Sequence, residues 1–307
     1  MDLHRLGLVS GRVHNFMTVV RLGSIRAAAK ALNVAPSSIS RTIKQLEDDL
    51  GTPLFLRSQQ RLKLSSAGEL LFYHIRQSTG ELNRAVTEIS DLQGLRRGTV
   101  TLATVESTAR VLVPEVLAGF WVRYPEITVD VHVGSSNEAA DSVAQGDADL
   151  ALLFDLRAPR NTRRIASISV PMGVMAAPGS RLATRPSPLR VYDLNGERVI
   201  LSDTSLTLGS TIEDALAGSF AEFSRRARSN SIGVMIDLAR RGVGTILQTR
   251  IGAEQELARG DLVFIPLADP RLKPRRLHLI ARPKAEISEA ASALAAMLAT
   301  ALERLAS

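Results

Sequence analysis

The stretch "AAAKALNVAPSSISRTIKQLEDDL", Ala27–Leu50, restricts the fold more than any other part of the chain. Ala27 to Leu32 is good helix material, because Ala and Leu lose little entropy on becoming helical. Asn33 tolerates the left-handed conformation that ends a helix, and Pro36 suits the first position of the next one. In that second helix Ile39, Ile43, Leu46 and Leu50 recur at steps of four, three and four, an apolar stripe facing a core. Ser37, Ser40, Arg41 and Lys44 recur on another face with no carboxylate among them. Small residues in the first helix let the second cross it closely, as in a helix-turn-helix. A second helix with hydroxyls and cations outward suits a major groove. An ordinary amphipathic helix with a wet polar face meets the same periodicity, so the pattern alone leaves both readings open.

Charge favours the first. The net +7 is uneven: residues 1–97 hold 14 Lys+Arg against 8 Asp+Glu, or +6, and residues 98–307 hold 24 against 23, or +1. A basic N-terminal segment binds a polyanion by counterion release. Anionic lipid is the other polyanion to weigh, but the apolar stripes fit an internal core, and no run of about 18 apolar residues marks a membrane span. The N-terminus carries no export signal, which places the chain in the cytoplasm as an expectation. With no cysteine, disulfides and thiolate metal sites are excluded, and the five histidines form no metal-spaced pair.

Leu8 to Val20 reads as a helix before the pair. Phe55–Arg57 and Arg61–Leu64 read as a short hairpin whose Arg57, Arg61 and Lys63 face phosphate or serve as plain surface cations. Ser66 with Glu69 reads as a capping box opening a long helix. Leu71, Ile75, Leu82, Val86, Ile89 and Leu92 run along one side of it, a stripe that calls for a second chain or for the C-terminal domain. Gly94 and Gly98 mark a hinge.

Beyond the hinge, strand-like and helix-like segments alternate. Thr99–Val105, Thr128–Val133 and Ala148–Phe154 read as strands, with one helix from Ala109 to Pro125, and this order predicts a mostly parallel sheet. A second set follows in "VPMGVMAAP", "ERVILSD", "GTILQTR" and "LVFIPL". "RRLHLIARP" and a helix over Ala285–Leu305 close the chain.

The segment Leu22–Leu71 resembles the N-terminal domain of LysR-type transcriptional regulators. The likeness rests on Gly23-Ser24, on Ser40-Arg41, and on the runs "QLEDDLGTPLF" and "LSSAGELL". It implies binding of double-stranded operator DNA, with Ser37, Ser40 and Arg41 as groove contacts, Lys44 on the same face, and a linker helix that dimerises the DNA-binding domains. The family usually carries Gln-Pro where this chain has Pro36-Ser37, and that Gln commonly reaches a base. Pro36 has no such group, so the likeness implies a binding mode and not a half-site.

The resemblance continues more weakly through "VLVPEVLAGFWVRYPEITVDVHVG", "GDADLALL" and "LARRGVGTILQ". It implies an effector domain like a periplasmic solute-binding protein, two α/β lobes joined by two crossovers. The expected fold is therefore α/β: a winged helix-turn-helix over 1–65, a linker and dimerisation helix over 66–93, a hinge at 94–98, and an effector-binding domain over 99–307. Its lobe I takes about 99–169 and 269–307, and lobe II about 170–268.

In such folds ligands bind at the carboxyl ends of strands, near helix N-termini. Ser107 and Thr108 follow the first strand, Ser135 and Ser136 the second, Thr204 and Ser205 follow "ERVIL", and Thr245 begins a later strand after Gly244. These are the expected effector contacts, although each residue type also serves as a cap or turn. Glu106 and Asp203 beside them leave the ligand's charge open. The expected partners are operator DNA, a small polar metabolite such as a carboxylate, and the chain itself as a dimer or tetramer. No cofactor is expected beyond that co-inducer.

Two other function classes compete with this one. An enzyme lacks support, since no nucleotide-binding Gly fingerprint, P-loop, Gly-x-Ser-x-Gly or His-Glu-x-x-His occurs. A transport-type solute-binding protein shares the lobes but not the N-terminal helix pair. A regulator whose C-terminal domain only oligomerises is the remaining alternative.

Overall fold

The structure, a computed structural model, describes residues 3–56, 62–92, 98–155, 159, 162–203, 207–217, 222–283 and 287–306. It divides into two compact units, residues 1–93 with 145–147, and residues 94–144 with 148–307.

The first unit contains α1 (Gly11–Leu22), α2 (Ile25–Leu32), α3 (Pro36–Leu50), β1 (Phe55–Leu56), β2 (Lys63–Leu64) and α4 (Ser66–Leu92). Local chemistry sets these boundaries. Ser10 and Ser24 cap α1 and α2, accepting from the N–H groups of Val13 and Ala27. Because Ser10 is the cap, α1 starts at Gly11 and not at Leu8. Asn33 ends α2 at φ 54°, and Pro36 opens α3. Ile39 and Ile43 join Phe16, Val19, Ala28, Ala29 and Leu54 in one core. Leu50, read as part of that stripe, is 49% exposed, since it is the last residue before Gly51 turns the chain away.

The start of α4 corrects the expected capping box. Ser65, one residue before Ser66, is the cap: its Oγ accepts from Gly68 N–H at 3.1 Å and donates to Pro53 O at 2.6 Å. A Cβ on Gly68 would lie 2.1 Å from Leu54 O, so only glycine lets α4 start this close to the hairpin. With 27 residues α4 is roughly 40 Å long. Leu71 and Ile75 pack onto the helix-turn-helix core, so the first two of the six stripe residues read as awaiting a partner are covered by their own unit. Ile89, further along, stays 57% exposed.

The second unit runs β3 (Gly98–Val105), α5 (Glu106–Arg110), α6 (Leu112–Arg123), β4 (Ile127–Gly134), α7 (Ser136–Ala144), β5 (Leu150–Phe154), β6 (Arg163–Val170) and β7 (Met172–Ala176). It continues with β8 (Arg198–Ser202), α8 (Thr207–Ala217), β9 (Ser224–Ser229), α9 (Ile232–Arg240), β10 (Thr245–Thr249), α10 (Glu254–Ala258), β11 (Val263–Pro266), β12 (Arg275–Ala281) and α11 (Glu289–Ala306). Two five-stranded sheets result, ordered β4-β3-β5-β12-β6 and β11-β7-β10-β8-β9. Each is covered on both faces. In the first, Leu102, Leu150, Leu152 and Leu279 pack with Phe120 of α6 and Leu298 of α11, while α7 covers the other side. Each such side chain contributes roughly 1.5–3 kcal/mol by burial.

The expectation of mostly parallel sheets is wrong in half of the pairings. β3 pairs parallel with β4 and β5, and β8 with β9 and β10. β12 runs antiparallel to β5 and β6, and β7 to β10 and β11. The cause is the double crossing: the chain leaves one sheet through β6 into β7 and returns from β11 to β12, so the crossing strands run against their hosts. Two strands escaped the sequence reading. β6 lacks regular alternation, and β9 ("SRRARS") is an exposed edge strand of arginines and serines. The single helix read over Ala109–Pro125 is two, broken at Val111, and the last helix begins at Glu289, where Ser288 Oγ accepts from Ala291 N–H.

Candidate functional site

Two places in the molecule gather polar side chains, one in each unit. On α3, Ser37, Ser40, Arg41 and Lys44 are exposed on the side opposite Ile39 and Ile43. Their side chains make no hydrogen bond or ion pair with other described residues. The nearest carboxylate along the helix is turned inward: Glu47 Oε1 accepts from Leu54 N–H at 2.7 Å and Phe55 N–H at 3.2 Å. These bonds pin the start of the hairpin to α3, and the Phe55 ring packs tilted against Phe16 of the core. Lys63 is exposed on β2, paired in register with Leu56. Arg57 and Arg61 lie outside the described residues. Arg26 and Lys30, exposed on α2, are two further cations that the sequence reading passed over.

In the second unit a cavity of about 460 Å³ opens between the two sheets. It lies at the carboxyl ends of β3, β4 and β5, facing α9 and the far end of β10. Ser107, Ser135 and Ser136 line it, but two of them already act as structural pins. Ser135 and Glu138 form a reciprocal cap at the start of α7: Glu138 Oε2 accepts from Ser135 N–H at 2.7 Å, and Ser135 Oγ accepts from Glu138 N–H at 3.3 Å. The Ser135 N–H, then its hydroxyl, hold the Glu138 carboxyl below the usual carboxylate range. Ser136 Oγ accepts from Phe154 N–H at 3.0 Å.

Two expected contacts do not face the cavity. Thr108 is buried behind α5, with its Oγ1 2.6 Å from Thr104 Oγ1 and donating to Val105 O at 3.0 Å. The turn of α5 points it back onto β3. Thr245 sits at the first residue of β10, buried, with Oγ1 3.5 Å from Arg198 O. It is at the wrong end, because the cavity meets β10 at Gln248, three residues on. Thr204 and Ser205 lie outside the described residues. Asp203 is not among the described residues lining the cavity, whereas Glu106 is.

Glu106 has a specific seat. Its Oε2 accepts from Ile232 N–H at 2.7 Å, and its Oε1 from Ser231 Oγ at 2.8 Å and Gly233 N–H at 3.2 Å. The carboxylate of one lobe thus caps α9 of the other, where the helix dipole favours an anion. The rest of α5 is tied to the same lobe. Arg110 Nη2 donates to Glu256 Oε1 at 2.8 Å. Gly252, at φ 89°, approaches so closely that a Cβ there would lie 2.7 Å from Ser107 O.

Arg275 is the charged group that sequence reasoning missed. It is 8% exposed and lines the cavity. Its guanidinium lies over the Phe154 ring, 4.6 Å from the centroid, and Nε donates to Asp155 Oδ2 at 2.5 Å. Asp155 Oδ1 takes the N–H of Arg276 at 2.7 Å. Burial pulls the guanidinium below its ordinary pKa, against the opposing charge of Asp155. Its Nη groups have no hydrogen-bond partner among the described residues. The signal was present but depended on topology: β12 is antiparallel to β5, so its first residue, not its last, meets the cavity.

The family model "LysR substrate binding domain" matches residues 93–303, and "Bacterial regulatory helix-turn-helix protein, lysR family" matches residues 11–69. A "Probable RuBisCO transcriptional regulator" of Emiliania huxleyi is 26% identical over 272 residues, 87% of this chain and 86% of that protein. One of Trichormus variabilis is 29% identical over 276 residues, 88% and 82% of the two chains. Among solved structures, full-length OxyR of Pseudomonas aeruginosa matches with a TM-score of 0.65 at 16% identity, over 95% of this chain and 93% of that one. Full-length CbnR complexed with its target DNA matches with 0.61 at 16% identity, over 99% of each. At such identity the likeness is one of fold.

Proposed function

The chain belongs to the LysR family of DNA-binding transcriptional regulators, and from that premise we propose that α3 reads operator DNA through Ser37, Ser40, Arg41 and Lys44. The observation that carries this reading is the division of α3 into a buried apolar side and an exposed side of hydroxyls and cations, with its inner carboxylate, Glu47, spent on the hairpin. Base edges and phosphates offer acceptors that such a face complements. The preceding helix of the pair crosses the backbone, which gives Arg26 and Lys30 of α2 phosphate neighbours. Lys63, with Arg57 and Arg61 beside it in sequence, extends the contact along the wing.

The exposed Ile89 on the α4 stripe supports pairing of two chains, which sets two α3 helices on major-groove turns roughly 34–36 Å apart. Two such dimers form the tetramer of this reading. The effector is a small polar metabolite with an anionic group, bound in the interlobe cavity against Ser107 and the Nη groups of Arg275. Closure of the lobes on it changes the spacing of the helix pairs and hence the bend of the DNA. The protein works in the cytoplasm, where its operator lies. A solute carrier has no use for the N-terminal unit.

DNase footprinting upstream of the protein's own gene tests this. Wild type is expected to protect two half-sites about one helical turn apart. Joint replacement of Ser37, Ser40, Arg41 and Lys44 by alanine is expected to erase the footprint in a folded protein. Unaltered protection would place DNA recognition elsewhere.

A further inference from the structure

The cavity's described titratable lining is two carboxylates, Glu106 and Glu138, against one guanidinium, Arg275, itself paired behind with Asp155. A ligand with two anionic groups has one cation to meet and meets repulsion at the other end. The place where a second carboxylate would otherwise be welcome is the N-terminus of α9, with N–H groups of Ile232 and Gly233 and the hydroxyl of Ser231. Glu106 already fills it. With three donors on its two oxygens, that carboxylate has little left for a ligand ammonium. Between the two ends the wall is apolar at Val105, Val133, Phe154, Leu208, Ile232 and Met235, with Asn230 and Gln248 as uncharged polar groups.

We propose that Glu106 determines effector specificity: it supplies from within the chain the anion that α9 would take from a ligand, and so restricts the cavity to monocarboxylic acids with an apolar body, their carboxylate at Arg275. This rests on the reading of the cavity as the effector site. Cross-lobe capping by Glu106 is also why the site needs only one anionic group from outside to complete it. A dicarboxylate has to displace Glu106 from Ser231, Ile232 and Gly233 or leave its own second charge unpaired in a cleft already negative.

The full-length protein and Glu106→Ala are titrated by calorimetry with matched acids, hexanoate against adipate and benzoate against terephthalate, and their melting temperatures are followed with added acetate. Wild type is expected to bind at least one monoacid tenfold or more tightly than its diacid partner. In Glu106→Ala that preference is expected to fall at least tenfold, and acetate to raise the melting temperature of the variant more than that of wild type, by refilling the vacated seat. Arg275→Gln should lower monoacid affinity tenfold or more in both backgrounds. If Glu106→Ala does not fold, Glu106→Gln, which keeps an acceptor without the charge, takes its place and should also narrow the preference.

A wild type that binds mono- and diacids equally, or a preference unmoved by either Glu106 substitution, overturns the assignment of Glu106 and leaves the effector site standing. A wild type that binds none of the acids, while acetate still stabilises the variant more than wild type, overturns the carboxylate-effector reading. Glu106 is then a tie between the lobes and nothing more.

Discussion

On α3 the side chains of Ser37, Ser40, Arg41 and Lys44 make no hydrogen bond or ion pair with other described residues, whereas at the cleft Glu106, Ser135, Ser136, Glu138 and Arg275 each have at least one. The two regions hold the same kinds of group in opposite states, and water explains the difference. The α3 face is open, so a hydroxyl or guanidinium stays hydrated at no cost until DNA replaces that water. In the cleft Ser136 and Arg275 are buried and Glu106 and Ser135 half-buried, and a buried polar group without a partner costs several kcal/mol. The inner residues of the cleft are therefore held by bonds within the chain before any ligand arrives. A free face holds binding energy in reserve, while a satisfied cleft admits only ligands that complement what is left over.

The contrast makes opposite demands on mutations. Arg41→Ala removes a group that no other described residue uses. Operator affinity should fall by about 2–6 kcal/mol per dimer, one contact of about 1–3 kcal/mol from each chain, with unfolding free energy unchanged within about 0.5 kcal/mol. Gel shift and urea denaturation on the same sample check both halves. A stability loss comparable to the binding loss would break the distinction.

Asp155→Ala tests the other side. It leaves Arg275, a side chain 9% exposed, without its counter-charge, while Asp155 itself is 33% exposed. Breaking a fully buried pair costs about 3–5 kcal/mol, and the partial exposure of Asp155 lowers that to about 2–3 kcal/mol of unfolding free energy. Operator binding at saturating folded protein should be unchanged. A neutral result in denaturation would mean that the cleft is wetter than its geometry implies.

Glu47→Ala sharpens the comparison within a single helix. Glu47 lies on α3, three residues from Lys44, yet it behaves like a cleft residue because its carboxylate is committed to Leu54 and Phe55. Its removal leaves two backbone N–H groups unpaired, for about 1–3 kcal/mol of stability. The DNA affinity of the remaining folded protein should fall less than in Arg41→Ala. The reverse ranking would show that Glu47 matters to DNA through the position of the hairpin.

The same contrast explains what could be read in the sequence. The α3 face is built from neighbours three and four residues apart on one helix, so local periodicity exposes it, and Asn33 and Pro36 mark its limits in the chain itself. The cleft is assembled from α5, α7, α9, β10 and β12, and its members meet only once strand direction is known. Treating the sheets as mostly parallel directed the reading chiefly to carboxyl ends. That put Ser107, Ser135 and Ser136 beside the cavity, but it could not reach Arg275, which opens an antiparallel strand. Thr245 failed for a simpler reason, since it begins its parallel strand, and Thr108 because five residues of helix are enough to turn a side chain inward. The seat of Glu106 on α9 spans 126 residues of sequence, and no local pattern encodes it.

Lys44→Ala offers the smallest effect and the finest test of the free face. Lys44 sits about one helical turn beyond Arg41, so if Arg41 reaches base edges, Lys44 is placed to meet phosphate. A lysine on phosphate carries no sequence information, but it releases counterions, about 0.9 per neutralised phosphate. Two copies in a dimer should therefore flatten the plot of log affinity against log salt by about 1.8, while the ranking of operator variants stays as in wild type. A changed ranking with an unchanged slope would put Lys44 on a base and shift Arg41 to the backbone. The open face would remain, but its two cations would exchange roles.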